Sequence, residues 1–508
     1  MLAKVTTVAY SGLKGQEVEV EVNIAEKGFP GFSIVGMSGK SGEETKERIK
    51  TALLNSDVEF PNQKITVNLA PADLDKEGSM YDLPIAIGLL FAMGLVTFPK
   101  ETCLFYGELS LEGTLRHTKG VFLAGLFAKE HKILKIFVPR LSANEACVLE
   151  GIQVYPVDSL KSIIRHLNGE KTIEALRNIE TENLLIEQQP DFDLSEVMGQ
   201  EHAKRALEIA ASGGHNLLMM GPPGSGKTLL SRCLPGILPE LSEKESLEVT
   251  KIYSITGNIP PGGSLVRIRP FRSPHHTTSQ VGLIGGGSNL RPGEVSLAHR
   301  GVLFIDELPE LSRSCLEALR QPIEDGQVSI SRANGHVTFP AQFMLIAAAN
   351  PCPCGYLGDP TRECKCSLMQ ISRYQKKLSG PILDRIDLHL SVPAVDVKKL
   401  MESSGQNGEV SMEVRSRVKQ ARNIQTKRFE NSKLNSNSDM RNRDIKVFCK
   451  MEQDATNLLQ QAVVKYALSA RTYFRLIKVS RTIADLEGAE NILLKHVAEA
   501  LQYRVRSE

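Results

Sequence analysis

The stretch His215–Thr228, "HNLLMMGPPGSGKT", decides how the rest of the chain is read. Leu217 to Met220 form an apolar run of the length of a buried strand. Gly221-Pro222-Pro223-Gly224-Ser225-Gly226-Lys227-Thr228 follows it and fits the pattern G-x-x-x-x-G-K-[ST], and "LLSRCL" then opens a helix. In that strand–loop–helix context, Gly221, Gly224 and Gly226 let the backbone curl so that its N–H groups face phosphate oxygens. The helix N-terminus adds the positive end of its dipole. Lys227 is expected to reach the β- and γ-phosphates of ATP, and the Thr228 hydroxyl to ligate Mg²⁺.

A phosphate loop of this kind needs an acidic strand end beside it. "GVLFIDEL" (301–308) supplies one: Val302 to Ile305 read as a buried strand, and Asp306 falls where a Mg²⁺-coordinating carboxylate belongs. Glu307, next to it, is placed to act as general base on the attacking water. Two adjacent acids with separate roles point to hydrolysis of the nucleotide rather than storage of it. A third apolar strand, "FMLIAAA", ends at Asn350, which opens the run "NPCPCGYLGDPTRECKC" (350–366). Cys352, Cys354, Cys364 and Cys366 have the composition of a four-thiolate Zn²⁺ site, although C-x-C is a less usual spacing than C-x₂₋₄-C. The competing reading is four reduced, unliganded thiols, and the sequence leaves both open.

The whole chain has 508 residues, enough for about three compact units of roughly 100–200 residues each. Its formal charge of +2 argues neither for nor against nucleic acid, so any basic surface must be local. Nine cysteines in a chain of this length suit a reducing compartment. The N-terminus lacks an apolar signal core, and the longest apolar run, "LPIAIGLLFAMGLV" (83–96), falls short of the roughly 20 residues that span a bilayer. It reads as a buried helix, and the chain as a cytoplasmic protein with no membrane partner.

Residues 1–167 mix strands and helices, with strands expected at "EVEVEVNIA" (17–25), "KITVNLAP", "LFYGELS" and "KIFVP". The polar segment 168–192 is the linker candidate. Residues 193–395 read as a parallel α/β sheet, and 396–508 as helical, with "NSKLNSNSD" (431–439) expected to be a mobile loop. The overall class is α/β.

"VMGQEHAKRALEIAASGGHNLLMMGPPGSGKT", "FRSPHHTTSQVGLIGGG", "NPCPCG", "SGPILDRIDL" and "SARTYFRLIKVSRTIADLEG" together resemble AAA+ ATPases of the magnesium-chelatase-like branch, and within it the ComM/YifB family, over essentially the whole chain. The resemblance implies a P-loop AAA+ core, a C-terminal helical lid and a homo-hexameric ring. It assigns Asn350 the sensor 1 role at the lytic water, Arg385 the arginine finger that acts on a neighbouring subunit's ATP, and Arg471 the sensor 2 role in the lid. Gly199 and Gln200 would flank the adenine. It also implies helicase and branch-migration activity on single-stranded or branched DNA, in natural transformation and homologous recombination, with recombination proteins as partners.

"GQVSISRANGHVTFPA" (326–341) has two alternating runs around Asn334-Gly335, a hairpin signal. In the related helicase-like branch such a hairpin enters the central pore, which makes Arg332 a candidate DNA phosphate contact. Residues 269–293 look like the branch's second inserted loop; His275–His276 within it lack an obvious third metal ligand. Arg415, Lys419 and Arg422 share one helix face, either a solvated face or a nucleic-acid patch. "APADLDKEGSMYDLPIAI" and "GTLRHTKGVFLAG" resemble the Lon-type protease domain, an S5-like α+β fold. Lys119 matches its catalytic lysine, but the serine position falls on Met80, with Ser79 one residue early, so the resemblance implies the fold without proteolysis. Two alternative functions remain beside the DNA motor. One is a chelatase-type motor, against which stands the lack of a D-x-S-x-S metal-adhesion motif; the other is an ATP-dependent protease.

Overall fold

The computed structural model describes residues 2–37, 39–74, 76, 78–99, 101–176, 192–287, 290–332, 335–359, 362–378, 380–394, 408–432 and 434–504. The chain forms two compact units, not three: Met1–Glu187 together with Ser242–Arg267, and Gln188–Leu241 together with Ile268–Glu508. Most of the expected linker and the 395/396 boundary lie outside the described residues. Among the described residues no helix is long and apolar enough to cross a membrane.

The first unit is built on a seven-stranded mixed sheet. Its order is Gly31–Val35, Lys64–Ala70, Lys14–Ala25, Leu2–Ser11, Cys103–Phe105, Lys135–Pro139, Gln153–Val157. The period-two run at 17–25 does what its alternation dictates: Val18, Val20, Val22 and Ile24 are buried while the glutamates between them are not. The apolar run at 83–96 becomes the helix Asp82–Ala92, every residue of which is buried. Met80, at the position where a protease would carry its serine, packs against two apolar clusters of this unit. Ser79 donates instead to the Glu108 carboxylate.

The segment 242–267 was expected to belong to the nucleotide-binding block, yet it completes the first unit. Its helix Glu243–Thr256 carries Ser254, whose hydroxyl donates to the buried Glu145 (2.5 Å) and whose carbonyl accepts from Gly120 N–H (2.9 Å). The Phe122 N–H also donates to Glu145 (3.3 Å), and His117 Nε2 lies 3.9 Å from its carboxylate. Burial pushes the Glu145 carboxyl up to about 7, against those two hydrogen bonds. Its folded value lies above its unfolded one, so the proton is held more tightly in the native state. Stability is therefore lost as pH rises from about 4.5 to about 7. Glu145→Gln, uncharged throughout, should raise the thermal midpoint at about pH 8 and change it little at about pH 5. A variant with the parent's pH profile would contradict this.

The second unit holds a five-stranded, all-parallel sheet in the order Phe271–Arg272, Val302–Ile305, Met344–Ala349, Leu217–Met220, Leu388–Ser391. The first and last of these were not legible as strands: one has two residues, and the other alternates Leu with His and Ser. The C-terminal region is helical, as expected. Its helices Ser411–Arg428 and Ala470–Leu486 share one apolar core with the sheet: Val414, Val418, Ile477 and Ile483 belong to the cluster of Leu217, Phe304 and Ile346.

The expected mobile loop at 431–439 is instead fixed at its centre. Asn437 is fully buried; its N–H donates to Gln425 (3.0 Å) and its amide to Thr482 (3.0 Å) and Asp485 (2.8 Å). A polar stretch can be internal when its hydrogen bonds are met, which composition does not reveal. The expected hairpin is present as Gln327–Arg332 paired with Gly335–Pro340, with Val328, Ile330, Val337 and Phe339 on its buried face. Ala333 and Asn334 at its turn, and the Arg332 side chain, lie outside the described residues.

Candidate active site

The buried strand Leu217–Met220 sits between Met344–Ala349 and Leu388–Ser391, so the loop after it emerges at the carboxyl ends of the parallel strands. Open α/β sheets place their ligands there. Gly224 (φ 77°) and Gly226 (φ 82°) adopt left-handed conformations, and the helix Lys227–Ile237 starts directly after them. Gly221 is required for a different reason: a Cβ there would lie 2.1 Å from the Val392 carbonyl oxygen. Gly221→Ala is thus expected to push the loop off the sheet and weaken nucleotide binding about ten- to a hundredfold, the equivalent of the roughly 1–3 kcal/mol that overpacking costs. Unchanged affinity in a fluorescent-nucleotide titration would refute this.

Lys227 Nζ lies inside the loop, donating to the carbonyls of Gly221 and Pro222 (2.8 Å each) and approaching Ser225 Oγ (3.3 Å) and Asn350 Oδ1 (3.4 Å). Burial holds its pKa below the usual lysine range, with Asp306 and Glu307 opposing. Thr228 Oγ1 donates to Asp306 Oδ2 at 2.9 Å, and the Glu307 N–H donates to Asp306 Oδ1 at 3.0 Å. Gln200 (φ 56°) and Gly199 (φ 65°) turn the chain beside the loop, and the Gln200 amide donates to the Ser225 carbonyl at 2.9 Å. A hydroxyl beside a carboxylate, an ammonium within a ring of carbonyls and a loop that tolerates no Cβ at its first glycine are what a Mg²⁺–nucleotide needs.

Glu307 has the left-handed φ of 51°, a strained setting for a non-glycine residue. Its carboxylate is half exposed and lies 3.4 Å from His276 Nδ1. The adjacent His275 and His276 invite a metal-ligand reading. The rings instead lie tilted against each other with centroids 4.1 Å apart, His275 engages Thr277 (2.8 Å), and His276 faces the Glu307 carboxylate. Among the described residues no metal-ligand group includes either histidine.

Arg385 and Arg471 form a second group. Arg385 pairs with Glu324, whose carboxyl that guanidinium holds below its usual range, and Arg471, largely exposed, lies 3.9 Å from Asp384. Sequence reasoning missed what positions them. Arg475, one turn after Arg471, donates to the Ile386 carbonyl (3.1 Å) and stands 3.6 Å from Asp387. His215 bridges Asp387 (3.0 Å) to Thr482 of the lid helix (2.8 Å). Asn216 donates to the Arg385 carbonyl (3.0 Å) and accepts from the Leu345 N–H (2.8 Å). The "HN" before the phosphate strand therefore ties the Asn350 strand, the Arg385 segment and the lid together.

Most arginines of the basic helix Ser411–Arg428 are paired within the chain. Arg422 donates to the Ala211 carbonyl, Arg417 pairs with Glu208 and Glu409, Arg428 with Asp485, and Arg415 lies 3.4 Å from Glu240, while Lys419 and Lys427 are exposed.

The four loop cysteines converge, with their sulfurs all within 4.8 Å of one another. Cys352–Cys354 is 3.4 Å, and Cys352–Cys364 and Cys354–Cys364 are 3.6 Å each. A tetrahedron with Zn–S bonds of about 2.3 Å has edges of about 3.8 Å, so the set fits a metal ion.

Three family models match: "Magnesium chelatase, subunit ChlI" over residues 193–400, "Subunit ChlI of Mg-chelatase" over 20–142, and "Magnesium chelatase, subunit ChlI C-terminal" over 408–504. The chain is 43% identical to "Competence protein ComM" of Haemophilus influenzae, across 99% of this chain and 97% of that protein. It is 42% identical to "Uncharacterized protein YifB" of Escherichia coli over the same shares. A more distant relative is the "Magnesium-chelatase 38 kDa subunit" of Rhodobacter capsulatus, 25% identical over 63% of this chain and 89% of that one.

Proposed function

As the chain belongs to the ComM/YifB family of magnesium-chelatase-like proteins, we propose that it is an AAA+ ATPase working as a homo-hexameric ring motor on DNA. The observation that carries the hydrolytic half is the meeting of Lys227, Thr228, Asp306 and Asn350 at the strand ends, with Glu307 beside them. Thr228 and Asp306 would hold Mg²⁺, which would neutralise charge on the β- and γ-phosphates. Lys227 turns from the loop carbonyls to the phosphates, Asn350 orients the water, and Glu307 takes its proton. Arg385 of one subunit serves the neighbour's nucleotide, Arg471 closes the lid over its own, and Gly199 and Gln200 border the base.

The DNA half rests on the family. The Haemophilus relative is named for competence. The activity that fits is helicase and branch migration on single-stranded or branched DNA, aiding its integration in transformation and recombination beside recombination proteins in the cytoplasm. Arg332 at the hairpin end is the candidate phosphate contact. Residues 1–167 are read as a Lon-like fold without proteolysis, a reading that Met80, packed against the apolar core, supports. Zinc at the four cysteines belongs to the same reading as a structural ion.

The test gives purified protein ATP and a labelled three- or four-stranded junction, in parallel with a porphyrin plus Mg²⁺ and an unfolded protein. DNA should stimulate hydrolysis and the junction should be remodelled. Hydrolysis indifferent to DNA, with metal inserted into the porphyrin, would favour the chelatase reading instead.

A further inference from the structure

The loop that carries the four cysteines begins at the end of the strand Met344–Ala349, and the helix that follows it packs back against that point. Asn350 caps the strand Met344–Ala349 and opens the loop; Cys366 closes it, and Ser367 caps the helix Leu368–Lys377 by accepting from the Gln370 N–H (3.3 Å). That helix returns Tyr374 to the start, where its buried hydroxyl meets the Asn350 backbone N–H. Between the cysteine pairs, Gly355 (φ 84°) donates its N–H to the Cys352 carbonyl (3.0 Å) and lies against the phosphate loop. A Cβ on Gly355 would fall 2.5 Å from Pro223 Cδ and 3.8 Å from Asn350 Cγ. The loop thus touches both the phosphate loop and the residue that faces Lys227.

Little apolar packing holds it there. Cys352 is fully buried, but Cys354, Cys364 and Cys366 are half exposed and Leu357 is exposed. All four cysteines are free thiols; the sulfurs of Cys352, Cys354 and Cys364 lie 3.4–3.6 Å apart, far beyond a disulfide bond of about 2.05 Å, and that of Cys366 lies within 4.8 Å of each of them. Convergence of four sulfurs in a loop without a core is what a metal cross-link provides.

We propose that Cys352, Cys354, Cys364 and Cys366 bind one zinc ion, and that this centre positions Asn350 and the phosphate loop for ATP hydrolysis. The four thiols release four protons as Zn²⁺ takes four thiolates, with no change of oxidation state. The metal touches neither nucleotide nor water; it acts through Gly355 on Pro223 and through the two ends of the loop on Asn350. The second half of this inference rests on the ATPase reading, and the first does not.

The full-length protein should contain about one zinc per chain by elemental analysis. Protein produced with cobalt should show the visible ligand-field and charge-transfer bands of a tetrahedral thiolate site, lost in Cys354→Ser/Cys366→Ser. Zinc far below stoichiometry, with all four thiols freely reactive towards a thiol reagent in the native protein, overturns the site. Oxidation of the same cysteines to disulfides in the isolated protein would overturn it equally.

For the coupling, zinc is stripped with a mercurial and then restored. Turnover should fall about a hundredfold while nucleotide affinity changes far less, and should recover with zinc. Gly355→Val keeps the four thiols, so it should retain zinc yet lose turnover. Full turnover in both the stripped protein and Gly355→Val leaves a metal site without the positioning role. Zinc-loaded protein that never hydrolyses ATP defeats the ATPase reading and not the metal site.

Discussion

Glu307→Gln is expected to bind ATP with near-parental affinity and to hydrolyse it about 10²–10⁴ times more slowly, the usual worth of a positioned general base. The substitution keeps size and removes only the ability to accept a proton. Asp306 still receives the Thr228 hydroxyl and the residue-307 N–H, so the metal side of the site is intact. Lys227 and Asn350 are likewise untouched. Single-turnover hydrolysis beside a nucleotide-binding titration separates the two effects. Parental turnover would remove Glu307 from the chemistry. The strained backbone at Glu307 makes the contrast sharper, because such strain is retained where a side chain must be aimed.

Arg385→Ala should lower turnover by about 10³–10⁵-fold, the range for an arginine finger. Its guanidinium pairs with Glu324 on its own chain, and its backbone is fixed through Asn216 and, next door, through Asp387 and Arg475. Truncation at Cβ leaves that backbone frame in place, so folding should be little affected. The decisive measurement mixes subunits: Arg385→Ala and Glu307→Gln chains, each inactive alone, should regain partial activity together. In a mixed ring some junctions pair an intact Glu307 with an intact Arg385. Absence of any recovery, or full activity in Arg385→Ala alone, would show that no finger acts between subunits.

Much of the candidate site was legible because its chemistry is local. A phosphate loop needs its glycines, lysine and threonine within eight residues, and "LFIDE" and "AAAN" announce buried strands whose polar ends must serve something. Residues that work through tertiary contact were silent. His215 and Asn216 stand at the polar start of a strand, Arg475 is one of several arginines in the C-terminal region, and His276 sits beside His275 without a third metal ligand. Each acquires a role only when strands distant in sequence become neighbours, as when Leu345 meets Asn216 or Glu307 meets His276.

By itself, then, the sequence determined the strand–loop–helix that opens at Leu217, the acid pair at 306–307, the alternating strand at 17–25 and a buried helix within 83–96. Short-range periodicity and motif spacing encode these directly. Tertiary structure alone decided that Ser242–Arg267 completes the first unit through Glu145, and that Asn437 is internal. It also decided that the basic helix spends its arginines on Glu208, Glu409 and Asp485, and that four cysteines in two separated pairs meet against Pro223 and Asn350. Burial of a polar group is decided by which partner arrives to satisfy it, and that partner comes from elsewhere in the chain.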